Sequence, residues 1–410
     1  MKKILKKTVL IVFLLNLLLP VQAQWYNNKI KCAEKQTRYL IEQCGDKKLI
    51  PRTYCSKKDE VAFVVIQDWT SGFFPGVLWL LHAHTNNPYW IREAQIYTQQ
   101  LSPIQHFTKH HDVGFMIMSS YGQGLAQTND TSYRTVIVNT ANALLTRYRE
   151  TAGTIQSWNK RLSRTGANWE CPVIIDNMMN LELLFKATEF TGDKKYYDIA
   201  IHHADNTMKN HVRPDYSSFH LVNYDLTTGA VTDRDTWQGF SRNSTWARGQ
   251  AWGIYGFTMC YRFTGEKKYL NTAIKMADFF LNHKNLPKDK IPCWDFNVGE
   301  AGYIPDWKYI PDAAKPISRD ASAATIVASA LLELCTFSDE LHAKYFKSAE
   351  TMLHNLSSKP YFAANKSNGG FILKNSVGYL PGGIEIDVPL NYADYYYLEG
   401  LLRYKSIIKK

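Results

Sequence analysis

The sequence predicts an all-α fold, an (α/α)6 barrel in which about six helical hairpins form a closed double ring. A short motif recurs along the chain, strand-like segments are scarce, and no linker divides the 410 residues. The clearest copies of the motif are TGDKKYYDIA at 191–200 and TGEKKYLNTA at 264–273, and fainter copies occupy 85–94, 128–137 and 338–349. Each copy combines a polar turn, an aromatic residue and apolar residues at helical spacing, which is typical of a tight turn that leads into a helix.

Helical patterns also precede the turns, as in NMMNLELLFKATEF before the first clear copy and AWGIYGFTMCYRF before the second. One helical hairpin cannot bury its own apolar face, so the hairpins have to pack side by side. An open solenoid and a closed ring both meet this requirement. The copies are degenerate and the loops between hairpins are long and rich in aromatic residues, which favours the ring, with a funnel at one end.

Two segments interrupt the helical pattern. VAFVVIQDW at 61–69 has the composition of a β-strand, and the stretch 217–236 predicts a short hairpin that turns at Thr228 and Gly229. We therefore expect short β segments within the loops of a single barrel domain that spans residues 24–410.

The first 23 residues predict a signal peptide that is cleaved after Ala23. Lysines at positions 2, 3, 6 and 7 precede an apolar run, and that run ends in the small-residue pattern of a cleavage site. The stretch from Val9 to Leu19 is short for a membrane span, and no cysteine that could carry a lipid follows the cut. We expect an exported protein, in a bacterial periplasm, without stable membrane association.

Charge and cysteine content exclude several classes of site. Four of the 48 basic residues lie in the leader, so 44 remain against 37 acidic residues, a net charge of +7. This excess weakly favours anionic substrates, but no basic run predicts nucleic-acid binding. The seven cysteines form no Cys-x-x-Cys pair, and the chain has neither a phosphate-binding loop nor a nucleophile elbow. We expect no metal and no cofactor.

The cysteines fall into two groups. Cys32, Cys44 and Cys55 lie close enough in the sequence for a disulfide among them, although the spacing does not indicate which pair would form it. The other four resemble buried small hydrophobic residues, and they stand at positions 171, 260, 293 and 335.

Two aspartates lie at apolar junctions where helices begin, and such junctions surround the predicted funnel. Asp112 precedes VGFMIM, in which Gly114 predicts a close approach of the backbone to the interior, and Asp176 follows two isoleucines. Either aspartate could cap a helix, although Asn177 would cap equally well at the second junction. Two carboxyl groups in apolar surroundings are also the minimum for acid and base chemistry on a sugar, because burial and mutual repulsion raise one pKa.

The stretch 236–256 interleaves tryptophans with hydrogen-bonding side chains, which are Trp237, Gln238, Arg242, Trp246, Arg248, Gln250 and Trp252. A packed corner of the core is one interpretation. Aromatic faces that alternate with donors are also what a carbohydrate site needs, because sugar C–H faces stack on indole while hydroxyls and carboxylates take polar partners. We favour the carbohydrate site, to which Trp69 adds a further aromatic ring at the start of another helical run.

Six stretches closely resemble motifs of the unsaturated glucuronyl hydrolases, which are relatives of the unsaturated rhamnogalacturonyl hydrolases. The stretches run in family order from residue 69 to residue 403 and are WTSGFFPG, HDVGF, IIDNMMNLELL, STWARGQAWGIYG, RDASAATIVASALLEL and YADYYYLEGLLR. The resemblance implies a six-hairpin α/α barrel that hydrolyses oligosaccharides. Their non-reducing end would be a 4,5-unsaturated uronic acid left by a polysaccharide lyase.

The resemblance also implies roles for individual residues. By motif, Asp176 would be the principal acid and base, and Asp112 its essential partner. Seven residues would line the subsite for the unsaturated sugar, namely Trp69, His111, His220, Gln238, Trp246, Arg248 and Trp252. Among these, Arg248 is the expected partner of the uronate carboxylate. Trp237 stands where the family often has a small or polar residue, which bears on the choice of aglycone.

Glycosaminoglycan disaccharides are the first expected substrates, and three alternatives remain. An unsaturated rhamnogalacturonyl hydrolase for pectin fragments is disfavoured by HDVGF and by the tryptophan–arginine stretch. A sugar-binding toroid without catalysis is disfavoured by the presence of both Asp112 and Asp176. A glycosidase for saturated polymers would need a further acidic pair at a helix junction, and none stands out.

Overall fold

The computed structural model describes residues 24–46, 48–310 and 315–409, so the predicted signal peptide lies outside the described residues. In these ranges twelve long helices alternate between an outer and an inner ring. The outer helices are α1 (24–44), α3 (Pro88–Gln100), α5 (Ser132–Leu145), α7 (Lys194–Asn210), α9 (Lys267–Asn282) and α11 (Asp339–Leu356). The inner helices are α2 (Phe73–Thr85), α4 (113–128), α6 (175–191), α8 (Ala247–Thr264), α10 (Ala321–Leu334) and α12 (Asn391–Ile408).

The inner ring is closed. Each inner helix packs against two inner neighbours, and α12 returns to α2, so the barrel is confirmed and the open solenoid is excluded. Every residue of α10 except Glu333 is buried, whereas α9 buries a single stripe and exposes its opposite face. Among the helices of the described ranges, none has the length and hydropathy to cross a membrane.

Two inner helices depart from regular α geometry. Helix α4 begins with Val113–Ile117, continues through a π-helical turn at Met118–Gly122 and ends with Gln123–Thr128. Helix α6 opens with a 3₁₀ turn at Ile175–Asn180 before the α-helical segment Leu181–Thr191. The first turns of both helices carry candidate site residues.

The repeated motif forms the turns between inner and outer helices. Gly192 and Gly265 end α6 and α8 in the left-handed conformation, with φ of 72° and 67°. Asn86 and Asn129 have the same role in two fainter copies, with φ of 54° and 55°. Glycine and asparagine adopt this conformation at low cost, so the motif ends one helix and starts the next within a few residues.

The tyrosine of the motif connects neighbouring outer helices. Tyr269 on α9 donates a hydrogen bond to Asp205 Oδ1 on α7 at 2.8 Å, and Tyr345 on α11 donates to Asp278 Oδ1 on α9 at 2.9 Å. Tyr196 makes the equivalent bond one hairpin earlier. The alanine four residues after each tyrosine is fully buried, so the spacing in the motif reflects helix packing.

Short strands occupy the loops that precede the inner helices. They are β1 (Ile50–Cys55), β2 (Glu60–Val64), β3 (Tyr148–Arg149), β4 (Thr154–Ile155), β5 (Arg161–Leu162), β6 (Asn168–Trp169), β7 (Cys171–Ile174), β8 (Leu221–Tyr224), β9 (Val231–Asp235), β10 (Ser376–Tyr379) and β11 (Ile384–Val388). The hairpin predicted at 217–236 is confirmed as β8 and β9, with β7 as an unpredicted third strand. The strand predicted at 61–69 ends at Val64.

The seven cysteines all lie within the described residues, where none of them forms a disulfide. Cys171, Cys260 and Cys335 are buried, as expected of small hydrophobic residues. The same expectation is wrong for Cys293, which is only half-buried.

Candidate active site

The first turns of the inner helices, and the loops before them, converge at one end of the barrel. Asp112 immediately precedes α4, Asp176 lies in the first turn of α6, and Arg248 lies near the start of α8. Through direct and shared contacts the structure brings all nine predicted site residues to this end, which are Trp69, His111, Asp112, Asp176, His220, Gln238, Trp246, Arg248 and Trp252.

Neither aspartate caps its helix. Asp112 occupies the N-cap position of α4, but its side chain makes no capping hydrogen bond. At the start of α6 the N-cap residue is Ile174, and again no side chain caps the helix. The Asn177 amide donates instead to the Ile155 carbonyl at 2.7 Å. The interpretation of Asp112 and Asp176 as helix caps is therefore wrong.

Two adjacent histidines contact the carboxylate of Asp112. His110 Nδ1 lies 3.1 Å from Oδ2, and His111 Nε2 lies 3.2 Å from Oδ1. Burial alone would raise the pKa of Asp112, but the two histidines outweigh burial and hold this pKa below its usual value. Burial likewise disfavours a charged His110 ring, yet the contact with Asp112 raises the pKa of His110 above its ordinary value. Asp112 is therefore the ionised member of the carboxyl pair.

Asn180 fixes the ring of His111. The Asn180 amide donates to His111 Nδ1 at 3.2 Å, so the ring proton lies on Nε2, on the side of Asp112. The Asn180 carbonyl accepts the backbone N–H of Phe115 at 3.0 Å. Burial lowers the pKa of His111 to about 4. His111 is therefore a neutral donor with a fixed orientation.

Asp176 lies in a different electrostatic environment. Burial raises the pKa of its carboxyl to about 7, because the nearby Asp112 charge adds to the rise and the Arg248 charge only partly opposes it. Near neutral pH the carboxyl is present in both its protonated and ionised forms. This is the state required of one group that first gives and then takes a proton.

His220 faces Asp176 from the loop before β8. The ring accepts the backbone N–H of Trp237 on Nδ1 at 3.0 Å, so its proton lies on Nε2. That Nε2 atom is 3.9 Å from Asp176 Oδ2, too far for a hydrogen bond. Burial lowers the pKa of His220 well below its ordinary value, so the ring is neutral. The half-buried Gln238 follows Trp237 in the same turn.

Buried polar atoms without partners are concentrated around Asp176. Within the described part of the chain, five atoms of the site make no hydrogen bond of ordinary geometry, namely His111 Nε2, Asp176 Oδ2, His220 Nε2, Trp252 Nε1 and Arg248 Nε. Buried polar atoms in folded proteins nearly always have partners. Five such atoms in one cluster indicate a site that a polar ligand completes.

Aromatic rings surround this polar cluster. The rings of Trp69 and Trp252 lie 5.6 and 5.0 Å from that of Phe115, and Trp246 lies 4.8 Å from the His220 ring. Trp252 is fully buried, so its indole N–H is the group that it can offer to a ligand. Trp69 is only half-buried and can present a ring face to a sugar.

Protein groups hold one side of the Arg248 guanidinium, and the expectation that this residue binds a sugar carboxylate stays a prediction. Its Nη1 pairs with Asp320 Oδ2 at 3.1 Å and also donates to the Val377 carbonyl, while Nη2 donates to the Gly378 carbonyl at 2.7 Å. Both terminal nitrogens thus have a protein partner, whereas Nε has none among the described residues, and the side chain is 1% exposed. The Arg248 charge acts on Asp176, whose pKa it lowers against the effect of burial.

Gly114 allows α4 to lie against α6. A Cβ atom at this position would be 2.6 Å from the Cα atom of Asn180, closer than real side chains approach a backbone. The close approach predicted at Gly114 is therefore confirmed. Because Asn180 orients His111, the contact between the two helices also sets the geometry of the site.

Four residues of the site escaped the sequence analysis, namely His110, Asn180, Asp320 and Trp158, whose ring centre lies 6.2 Å from that of His220. His110 adjoins His111, and that adjacency was a usable signal. Asp320 has the appearance of an ordinary N-cap, and its Oδ1 does accept the Ser322 backbone N–H at 3.0 Å while Oδ2 pairs with Arg248. Nothing in the local pattern around Trp158 or Asn180 separates them from core residues.

Comparison with known proteins identifies close relatives. Residues 34–268 match Glycosyl Hydrolase Family 88. An unsaturated glucuronyl hydrolase of Formosa agariphila is 46% identical over 363 residues, which cover 88% of this chain and 86% of that protein. A crystal structure of an unsaturated glucuronyl hydrolase specific for heparin has a TM-score of 0.86 at 42% identity, over 94% of this chain and 98% of the other. The unsaturated glucuronyl hydrolase of Bacillus sp. GL1, responsible for the degradation of glycosaminoglycan, has a TM-score of 0.81 at 30% identity, over 93% and 97% of the two chains.

We expect Gly114→Ala to lower the free energy of unfolding by about 3 kcal/mol, because the new methyl group would overlap the backbone at Asn180. Gly122→Ala, in the same helix, is the matched control. Its methyl group would meet only the flexible end of Met118, and alanine favours a helix interior. Chemical denaturation of both variants measures the difference, and equal stability would contradict the proposed contact.

We expect His110→Gln to raise the pKa of Asp112, because the substitution removes a positive partner while the carboxyl stays buried. Carboxyl ¹³C titration of aspartate-labelled protein measures this pKa, with Asp112→Asn to assign the signal. His106→Gln is the control, since His106 is an exposed histidine four residues away. An unchanged Asp112 titration in His110→Gln would show that His110 does not stabilise the carboxylate.

Proposed function

This chain belongs to glycosyl hydrolase family 88, and we propose that Asp176 is the group through which it removes a 4,5-unsaturated uronic acid from the non-reducing end of lyase-generated oligosaccharides. The protein is an unsaturated glucuronyl hydrolase, a glycosidase whose partner is an unsaturated oligosaccharide. The observation that carries the proposal is the buried carboxyl of Asp176, with a pKa of about 7 and an oxygen without a partner.

The unsaturated sugar is an enol ether, so its C4=C5 double bond can accept a proton without displacement at C1. Protonated Asp176 donates its proton to C4, and the π electrons form the new C4–H bond. The resulting oxocarbenium ion is shared between C5 and the ring oxygen. Water adds to C5 and gives a proton to the Asp176 carboxylate, so that one group is acid and then base. The C5 hemiketal opens, and collapse of the hemiacetal at C1 releases the aglycone.

Asp112 supports this reaction through its charge. An ionised Asp112 raises the pKa of Asp176 and stabilises the positive charge that develops on the sugar ring. Its histidine partners keep the carboxylate ionised and oriented. Neutral His220 directs an Nε2–H toward the same space as Asp176 and can donate to a substrate oxygen there. The carboxyl-separation rule of ordinary glycosidases does not apply, because no displacement at C1 takes place.

Glycosaminoglycan disaccharides are the substrates that we propose. The support comes from two similar structures, one of an enzyme specific for heparin and one of an enzyme responsible for the degradation of glycosaminoglycan, together with the excess of basic over acidic residues in this chain. A substrate that carries a carboxylate, and in many cases sulfate, gains from a positive surface potential during association.

Export to a periplasm is a further part of the proposal. The basic start, short apolar run and small-residue site that end at Ala23 support it. We expect mass spectrometry of the protein from its native host to find Gln24 at the N-terminus and the enzyme in the periplasmic fraction. Retention of residues 1–23 in a cytoplasmic enzyme would contradict this part of the proposal.

We expect Asp176→Asn to reduce kcat by roughly 10³-fold or more with an intact fold, because asparagine cannot transfer the proton. Loss of the ultraviolet absorbance of the C4=C5 bond measures turnover, with circular dichroism as the test of folding. Asp112→Asn is expected to be severely impaired as well, whereas Asp198→Asn, on the exposed face of α7, keeps full activity. An active Asp176→Asn enzyme would remove Asp176 from this role.

The same assignment fixes the pH dependence of the wild-type enzyme. Only protonated Asp176 can donate, so kcat/KM falls as pH rises through its pKa of about 7. On the acid side activity persists, since the pKa of Asp112 is below its usual value and the carboxylate stays ionised. An alkaline optimum would contradict the assignment.

A further inference from the structure

At the edge of the site, Arg161 lies among tryptophans and has no acidic partner within the described residues. Arg161 begins β5, and its guanidinium carbon is 3.9 Å from the centre of the Trp237 ring and 5.2 Å from that of Trp158. The side chain is half-buried. In the part of the chain that the structure describes, no carboxylate forms an ion pair with it, and the ionisable groups that act on it are Tyr379 and a second arginine, Arg164.

The neighbouring cations Lys160 and Arg164, unlike Arg161, each have an acidic partner. Lys160 lies 4.0 Å from Glu170, and Arg164 lies 3.1 Å from Asp306. Burial lowers the pKa of Arg161, Tyr379 opposes this change in part, and the charge of Arg164 acts in the same direction as burial. Arginine nevertheless stays protonated in proteins. A half-buried guanidinium without a counter-ion is therefore a group that a bound anion stabilises.

Arg161 is separated from the reacting groups by one aromatic ring. The centre of the Trp158 ring lies 6.2 Å from that of His220, and Trp237 donates its backbone N–H to the same imidazole at 3.0 Å. His220 in turn faces Asp176. Because the unsaturated sugar occupies the space beside Asp176 and His220 in the proposed reaction, Arg161 lies within reach of the next sugar.

We propose that Arg161 binds a sulfate group on the aglycone sugar and so makes the enzyme selective for sulfated disaccharides. This inference rests on the proposed function. The planar guanidinium fork matches the oxygens of a sulfate, and the two indoles restrict its rotation, so little freedom is lost on binding. Arg161 contacts neither Asp176 nor the double bond, and it acts on substrate choice alone.

The test compares lyase-generated disaccharides that differ only in the amino sugar, which is unsulfated, 4-sulfated or 6-sulfated. Loss of the ultraviolet absorbance gives kcat/KM for the wild-type enzyme, Arg161→Gln and Arg161→Lys. We expect Arg161→Gln to lower kcat/KM about tenfold for at least one sulfated substrate and less than about twofold for the unsulfated one. Arg161→Lys keeps the charge and should retain part of the preference.

Lys160→Gln is the matched control, because it removes one positive charge from the adjacent position and should leave the preference unchanged. Raising the salt concentration should weaken the preference of the wild-type enzyme, since salt screens a half-exposed charge pair. Equal losses on sulfated and unsulfated substrates would overturn the proposal, because they would assign Arg161 to the shared uronate carboxylate or to the fold. An unchanged preference in Arg161→Gln would overturn it as well.

A binding measurement tests the role of Arg161 independently of the proposed reaction. Calorimetric titration of the wild-type enzyme and Arg161→Gln with the 4- and 6-sulfated amino monosaccharides measures the aglycone subsite without turnover. Binding that is lost in Arg161→Gln supports the subsite even if no disaccharide is hydrolysed, in which case the proposed function alone fails. No difference between the two proteins, together with normal turnover, leaves the proposed function intact and overturns the role of Arg161.

Discussion

A carboxyl group taken out of water beside a second carboxylate cannot remain fully ionised unless other groups compensate. Asp176 meets this constraint at the end of the barrel by staying partly protonated, with a pKa of about 7. Arg248 limits the rise in that pKa, and Asp320 and two backbone carbonyls in turn fix the guanidinium. The positions of α6, α8 and the loop that carries β10 therefore all influence the pKa of Asp176.

Asp112 and Asp176 have identical side chains, and their different surroundings give them different pKa values. Both side chains are largely shielded from water, with 13% of Asp112 and 10% of Asp176 exposed, yet the pKa of Asp112 is below its usual value and that of Asp176 is above it. The difference lies in the partners, because Asp112 has two histidines in contact while the nearest histidine to Asp176 is 3.9 Å away. His220 also stays neutral, since backbone N–H groups occupy its other nitrogen. The acid is consequently free to exchange a proton, and its neighbour supplies a fixed charge.

The closed ring of helices brings the residues of the site together. Helices that form a ring direct their first turns and preceding loops toward one opening, so residues far apart in sequence meet there. Close backbone contact is part of the same design, because Gly114 lets α4 approach the residue that orients His111. Short hairpins lie at the edge of the opening, where Arg161 on β5 packs against the rings of Trp158 and Trp237.

The sequence by itself determined the helical hairpins, their closure into a ring and the nine residues that meet at one end, because periodicity and turn residues are local and the motifs are specific. It did not determine the electrostatics. The motif around Arg248 does not show that Asp320 and the Gly378 carbonyl, 72 and 130 residues along the chain, hold its two terminal nitrogens. The protonation of Asp176 likewise depends on burial and on charges from other helices. Only the tertiary structure brings these groups together, since a pKa reflects distances in space and desolvation.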